Sequence, residues 1–315
     1  MSKSIYTRNG LFNMADGVFK GKGISSLLKS RDKRADLIAM FGGRDNVPSS
    51  VMRAKRARDF ADSDEPTSKG RRYTQTGYQT DNKELQRSFG HSGRGVSAGA
   101  LSIFPQNIGR SVLLLYSNPG DMVFDPFAGQ NSRMELCVEN GRHYIGYDIS
   151  TEFMAFNKKR CAYLQTVSKA SIGIELHRQD SRDCKFTEDC SGDFTITSPP
   201  YYDIEFYGDE KEQLGKAKTY KDFLINMRVV MCENFRCLKP GAFAVWFVND
   251  FRRKGKFHLY HADICVLAQQ AGFEMHDLIV VDFGPGIRDS FTNQIVEQRI
   301  IPKRHEYALV FRKPT

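Results

Sequence analysis

Thr197-Ser198-Pro199-Pro200-Tyr201 concentrates groups that could hold a planar base bearing an exocyclic amine. Each proline fixes its own φ and removes a backbone donor, and each drives the residue before it toward extended conformations. What remains is a hydroxyl, carbonyl acceptors with no competing N–H, and one flat ring. The ring could stack on the base while the hydroxyl and a carbonyl accept the amine's protons. A plain Pro-Pro turn with a packed tyrosine would carry the same letters, so the pentapeptide needs support from elsewhere in the chain.

That support lies upstream. Met122-Val-Phe-Asp125-Pro126-Phe127-Ala128-Gly129 reads as an apolar strand ending in an acid, a tight turn and a glycine. Asn131 to Asn140 reads as a helix with Met134, Leu136, Cys137 and Val138 on its apolar side. His143 to Ile149 is a second strand, ending in Asp148. The span from Asp125 to Asp148 fits one β-α-β unit. An acid about 20 residues after a glycine turn is where a nucleotide-binding fold holds ribose hydroxyls. The turn is not G-x-G-x-x-G, so a dinucleotide is not indicated.

These motifs together resemble the S-adenosylmethionine-dependent DNA amino-methyltransferases, which modify N4 of cytosine or N6 of adenine. Phe104-Pro105 and the apolar helix to Tyr116 resemble the segment that contacts the methionine end of the cofactor. Asp125 to Gly129 resembles the cofactor loop, Ser198 to Tyr201 the catalytic loop, and His305 to Arg312 the final strand. The loop continues Gly129-Gln-Asn-Ser132-Arg133 where the family usually has Gly-Ser-Gly-Thr-Thr. The resemblance covers roughly residues 100–315.

It implies S-adenosyl-L-methionine as cofactor, double-stranded DNA as partner, a flipped-out target base and no metal. Phe104, Pro105 and Asp125, Pro126, Phe127, Ala128 and Gly129 would meet the methionine end. Asp148 with Ile149 would meet the ribose, and Asp180 with Ser181 the adenine. Ser198, Pro199, Pro200 and Tyr201 would be catalytic. A serine in first place favours cytosine N4 over adenine N6. RNA or protein-glutamine methylation, and a non-catalytic DNA-binding module, remain alternatives of other kinds. Methylation at cytosine C5 is not expected, because that chemistry uses a cysteine directly after a proline and none of the seven cysteines is so placed.

The elements that must position these groups read as an α/β fold, a Rossmann-like seven-stranded methyltransferase sheet with helices on both faces. Phe194 and Ile196 alternate with Thr195 and Thr197 in the strand that delivers the catalytic loop. Thr151 to Leu164 reads as a helix and Ile172 to Arg178 as a strand ending near Asp180. Tyr220 to Leu238 places Phe223, Met227, Val230, Met231 and Phe235 on one helical face. Ala242 to Val248 is a buried strand, and His258 to Ala271 a helix with His258 and His261 as solvated side chains. Phe273 to Phe283 and His305 to Phe311 should be antiparallel neighbours at one edge of the sheet.

Charge divides the chain at about residue 98. The net charge is +9, yet residues 101–315 are balanced and the whole excess lies in residues 1–100. A basic excess favours polyanions. Residues 1–98 read as a basic N-terminal extension, with helices expected over Lys29 to Phe41 and Ser49 to Phe60, and 99–315 as the catalytic domain. Three long polar connections carry Lys216, then Arg252, Arg253 and Lys254, then Arg288 and Arg299, all expected to meet DNA phosphates.

The cysteines form no C-x-x-C pair, so neither a zinc site nor a disulfide framework is indicated. No run approaches the roughly 18 apolar residues of a membrane span, and the N-terminus has no apolar signal core. A cytoplasmic, DNA-associated enzyme of bacterial or phage origin is expected, with a homodimer one of the open oligomeric states.

Overall fold

Short apolar runs separated by turns fold into parallel strands buried on both faces, as expected where helices cover a sheet on either side. The computed structural model describes residues 32–54, 104–167, 172–204, 209–284 and 295–315. Its strands are β1 (Val51–Arg53), β2 (Met122–Asp125), β3 (His143–Asp148), β4 (Ile174–Arg178), β5 (Gly192–Thr197), β6 (Leu238–Val248), β7 (Phe251–Arg253), β8 (Lys256–His258), β9 (Glu274–Asp282) and β10 (His305–Arg312). Its α-helices are α1 (Lys33–Phe41), α2 (Gln106–Tyr116), α3 (Ser132–Glu139), α4 (Thr151–Val167), α5 (Tyr220–Cys237) and α6 (Tyr260–Ala271).

Eight strands form the main sheet, in the order β1-β9-β10-β6-β5-β2-β3-β4. β10 runs antiparallel to β6 and β9, and the remaining pairs are parallel. One face buries Ile108 and Val112 of α2, Met134 and Leu136 of α3, and Leu164 of α4 against Val123, Ile196 and Val245. The other buries Phe223 and Met227 of α5 and Ile264 and Leu267 of α6 against Trp246 and Leu309. α5 starts at Thr219, whose hydroxyl accepts the Asp222 amide at 3.1 Å, a regular N-cap.

The expected α/β sheet with helices on both faces is present, with one strand more than the seven expected. The extra strand comes from the basic segment. Val51–Arg53 pairs in parallel with Val280–Asp282, where a helix over Ser49 to Phe60 was expected. β9 and β10 are antiparallel neighbours, but β1 covers the outer side of β9, so they do not form the edge. Met52 is buried against the sheet, and Asn107 of α2 donates to the Arg53 carbonyl at 2.9 Å. α1 packs through Met40 and Phe41 on Leu114 of α2. Residues 32–54 are thus tied to the sheet and to the helix that precedes the cofactor loop.

The helix expected from His258 begins at Tyr260 instead. β7 and β8 form a separate hairpin around Lys254 and Gly255, at φ 48° and 78°. Two successive residues of positive φ make the tight turn that suits a twisted hairpin. His258 lies in this hairpin, against Phe251 and Tyr220 at ring distances of 4.9 and 4.2 Å. His261 bonds Asp250 at 2.7 Å and stacks on Tyr307. Both are half-buried against aromatic neighbours rather than fully solvated, and of the two only His261 lies in the helix.

Candidate active site

β2 lies between β3, which follows it in the chain, and β5, so the order of connections reverses there. In open α/β sheets the crevice at the carboxyl ends of the strands beside such a point takes the ligand. Both motif loops leave from these ends. Asp125 ends β2, Thr197 ends β5, and the Thr197 hydroxyl donates to Asp125 Oδ1 at 2.7 Å.

Asp125 is fully buried and takes three further donors. Oδ1 accepts the Phe127 amide at 3.1 Å, and Oδ2 accepts Arg133 Nε at 2.7 Å and the Tyr144 hydroxyl at 2.8 Å. An ionised carboxyl offers about four acceptor positions, so none is left for a ligand. Asp125, expected at the methionine end of a cofactor, shapes the loop instead. Burial and the neighbouring Asp125 charge push the Tyr144 phenol well above its ordinary value, which keeps it a neutral donor.

Arg133 extends this clamp. Its guanidinium also donates to the Phe127 and Ala128 carbonyls and lies over the Phe104 ring at 5.3 Å. The Phe104 ring meets the Phe247 ring edge-on at 4.7 Å. Pro105 precedes α2 and accepts the Gly109 amide through its carbonyl at 2.8 Å. A Cβ on Gly109 would lie 2.3 Å from the Phe104 ring, so only glycine permits that approach. The Phe104 segment and the Asp125–Gly129 loop are therefore one assembly.

Gly129 takes a left-handed φ of 51°, and its amide donates to Asp148 Oδ2 at 2.8 Å. The Ser150 amide donates to Oδ1, also at 2.8 Å. Removal from solvent raises the Asp148 carboxyl to about 6, against the pull of those two amides. Each oxygen keeps one further acceptor position, which could take ribose hydroxyls. Ile149 follows, half-buried. After β4, Asp180 accepts the Arg182 amide at 2.9 Å and the Arg182 guanidinium through Nε on both oxygens and through Nη2 at 2.6 Å, so its acceptor positions are engaged within the turn. Arg182 also donates to Asn226 at 2.8 Å. The Ser181 hydroxyl donates to the Pro126 carbonyl, so it joins the Asp180 turn to the cofactor loop rather than facing a ligand.

On the β5 side, Ser198 is half-buried and Pro199 buried. The Tyr260 hydroxyl donates to the Pro200 carbonyl at 3.2 Å. The Tyr201 ring lies 5.9 Å from both Phe251 and Tyr260, so its orientation is set by aromatic packing. A Cβ on Gly215 would lie 2.7 Å from the Tyr201 carbonyl, so the returning chain presses closely on the loop.

The charged loops are partly committed within the chain. Arg253 and Lys254 reach Asp203 at 3.0 and 3.3 Å, and the Arg253 hydrogen bond holds the Asp203 carboxyl below its usual range. Arg252 is exposed with its guanidinium 5.2 Å from the Phe257 ring. Lys216 is exposed beside the Glu210 carbonyl at 3.5 Å. Arg299 is exposed at a φ of 52°. Arg288 lies outside the described residues.

The sequence reading missed Arg133, Arg182, Asp203 and Gln130. Gln130 Nε2, directly after Gly129, is a buried donor with no hydrogen-bond partner among the described residues. Such a donor normally has one. With the open acceptor positions of Asp148, it gives the loop chemistry suited to a ligand carrying a carboxylate and a ribose. The residues present therefore fit S-adenosylmethionine. Among the described residues, no group of three or more His, Cys, Asp or Glu is placed to hold a metal ion, and no helix is long and apolar enough to cross a membrane. All seven cysteines are free thiols.

The chain is similar to known DNA methyltransferases. The orphan methyltransferase M.BamHII of Bacillus amyloliquefaciens is 39% identical over 59 residues, 19% of this chain and 22% of its own. The DNA adenine methyltransferase YhdJ of Escherichia coli (strain K12) is 36% identical over 56 residues, 18% of this chain and 19% of its own. The chain thus spans about a fifth of the length of these curated relatives. A solved SAM-dependent methyltransferase of Methanosarcina mazei is 15% identical with a TM-score of 0.43, over 63% of this chain and 95% of that one. The N6/N4 DNA methylase family matches residues 38–159 and 193–315, most of the chain and both motif loops. On that match, the chain belongs to the N6/N4 DNA methylase family.

Proposed function

We propose that this protein transfers a methyl group from S-adenosylmethionine to the exocyclic amine of a base flipped out of double-stranded DNA, namely N4 of cytosine. The observation that carries the reading is the hydrogen bond from Thr197 to Asp125, because it joins the cofactor loop to the strand end from which Ser198 departs.

An aromatic amine is a poor nucleophile because its lone pair is delocalised into the ring. The Ser198 hydroxyl and the Pro199 carbonyl accept hydrogen bonds from its two N–H groups, draw the nitrogen toward tetrahedral geometry and offset its growing positive charge. Tyr201 stacks on the base and fixes its plane, so that positioning supplies much of the rate. Asp148 receives the ribose hydroxyls and Gln130 the methionine carboxylate, while Asp180 would reach the adenine amine only by giving up one of its contacts with Arg182. When bound, the cofactor would supply an electrophilic sulfonium methyl; its transfer leaves a neutral thioether, and the surplus amine proton passes to water. The base must leave the stack to reach this site. Lys216, Arg252 and Arg299, together with the basic segment before residue 99, meet phosphates and hold the duplex without reading its sequence.

Adenine N6 is the second reading. It is favoured by the similarity to a relative described as a DNA adenine methyltransferase, whereas serine at position 198 favours cytosine. Enzymatic digestion of DNA methylated by the protein, followed by mass analysis of the nucleosides, separates the two. N4-methylcytosine supports the first reading, and N6-methyladenine replaces it with the second.

A further inference from the structure

We infer that the β7–β8 hairpin is the element that enters the duplex, with Phe257 filling the place the flipped base leaves. The inference rests on the reading that the substrate is a base extruded from DNA.

The hairpin has two unlike faces. Its register pairs Phe251 with His258, Arg252 with Phe257, and Arg253 with Lys256. Side chains alternate across a strand, so Phe251, His258, Arg253 and Lys256 share one face while Arg252 and Phe257 share the other. The first face is the root. Phe251 packs on Tyr201, Tyr220 and Tyr260 at ring distances of 5.8–6.0 Å, and Arg253 reaches Asp203. Phe257 on the outward face is 46% exposed, and Leu259 just beyond it is 53% exposed. The Arg252 guanidinium lies against the Phe257 ring at 5.2 Å.

The chemistry of this outward face suits a duplex. Arg252 lies beside the exposed ring on this face, Lys254 occupies the turn, and residues 251–258 contain no acid. Polyanions meet such charge first. Proteins that open base stacks insert apolar side chains between base steps, and an exposed ring beside cations is built for that task. The two-residue turn and the ion pairs to Asp203 stiffen the hairpin. Asp203 is two residues after Tyr201, so the ring entering the stack and the ring receiving the base are fixed to one loop.

The test compares wild type with Phe257→Ala, Phe257→Trp and Arg252→Ala in the full chain, on unmethylated plasmid DNA. Turnover is followed with labelled S-adenosylmethionine, and binding to the same DNA by filter retention. A lost stacking ring should lower the kcat of Phe257→Ala about tenfold or more, with DNA affinity little changed and cofactor binding intact. Phe257→Trp should restore most of that kcat. Arg252→Ala should chiefly weaken DNA binding. A Phe257→Ala kcat within twofold of wild type, a loss confined to DNA affinity, or a loss that tryptophan does not restore would each overturn the wedge. A wild-type enzyme that methylates no DNA would instead overturn the function on which the wedge rests.

Discussion

The hydroxyl of Thr197 and the carboxylate of Asp125 meet at 2.7 Å in the protein interior, and this bond joins the two loops on which the proposed chemistry depends. Thr197→Val keeps the shape and removes the bond. Hydrogen bonds to charged groups contribute about 1.5–3 kcal/mol, so this variant should lose unfolding free energy in that range and unfold at lower denaturant concentration. Ser198 is the next residue, so kcat should fall as well, while cofactor affinity changes little. Denaturant melts and steady-state kinetics on one preparation check both. Unchanged stability would mean the bond contributes nothing.

Arg133 is the sole cation bonded to the buried Asp125 among the described residues. Arg133→Met keeps the length of the side chain and leaves that carboxylate without its counter-charge. Breaking a buried pair from one side costs roughly 3–5 kcal/mol, and the loss should appear as a reduced unfolding free energy. Since Arg133 also bonds two carbonyls of the cofactor loop, binding of S-adenosylmethionine by calorimetry should weaken in parallel.

Much of this arrangement was legible in the residues. The runs Met122 to Asp125 and Gly192 to Thr197 show strand patterning and end in residues with strong turn chemistry, so the strands and the loops after them could be placed. Arg133 could not, because arginine is seldom buried and only the fold reveals the carboxylate beneath it. β1 was hidden for a different reason. A three-residue strand turns only Met52 inward, which leaves no periodicity, and its basic neighbours suggested a helix. The hairpin carried a readable signal in Lys254-Gly255, between two short runs with aromatics, but the nearby histidines fitted the start of the next helix equally well.

Cofactor binding should depend on pH through Asp148. Its carboxyl is raised to about 6 by burial, and its acceptor positions serve ribose hydroxyls only when ionised. Affinity for S-adenosylmethionine should therefore be constant above about pH 7 and fall as the pH drops through 6. Asp148→Asn should bind more weakly and lose this dependence. Calorimetric titrations from about pH 5 to about pH 8, at least roughly one unit either side of the shifted value, check it. A flat wild-type profile would separate Asp148 from the ribose.

Glu306 on β10 is buried with one carboxylate oxygen unpartnered among the described residues, and burial raises it to about 8 with Lys303 opposing. The folded state holds this proton more tightly than the unfolded chain, so the stability present at low pH is lost as pH rises from the ordinary carboxyl range through about 8. Glu306→Gln should have its largest stability advantage over wild type near pH 9 and the least near pH 5. Thermal melts across that range check the sign, and a difference independent of pH would contradict it.

Transfer of label from S-adenosylmethionine to unmethylated duplex DNA, by wild type beside Tyr201→Ala, tests the central claim most directly. A stacked ring contributes about 1–3 kcal/mol per base, so Tyr201→Ala should bind cofactor normally and turn over roughly ten- to a hundredfold more slowly. Labelled cytosine from the wild type together with that loss is the predicted result. Wild-type protein that binds the cofactor yet labels no base on DNA of varied sequence would contradict the account.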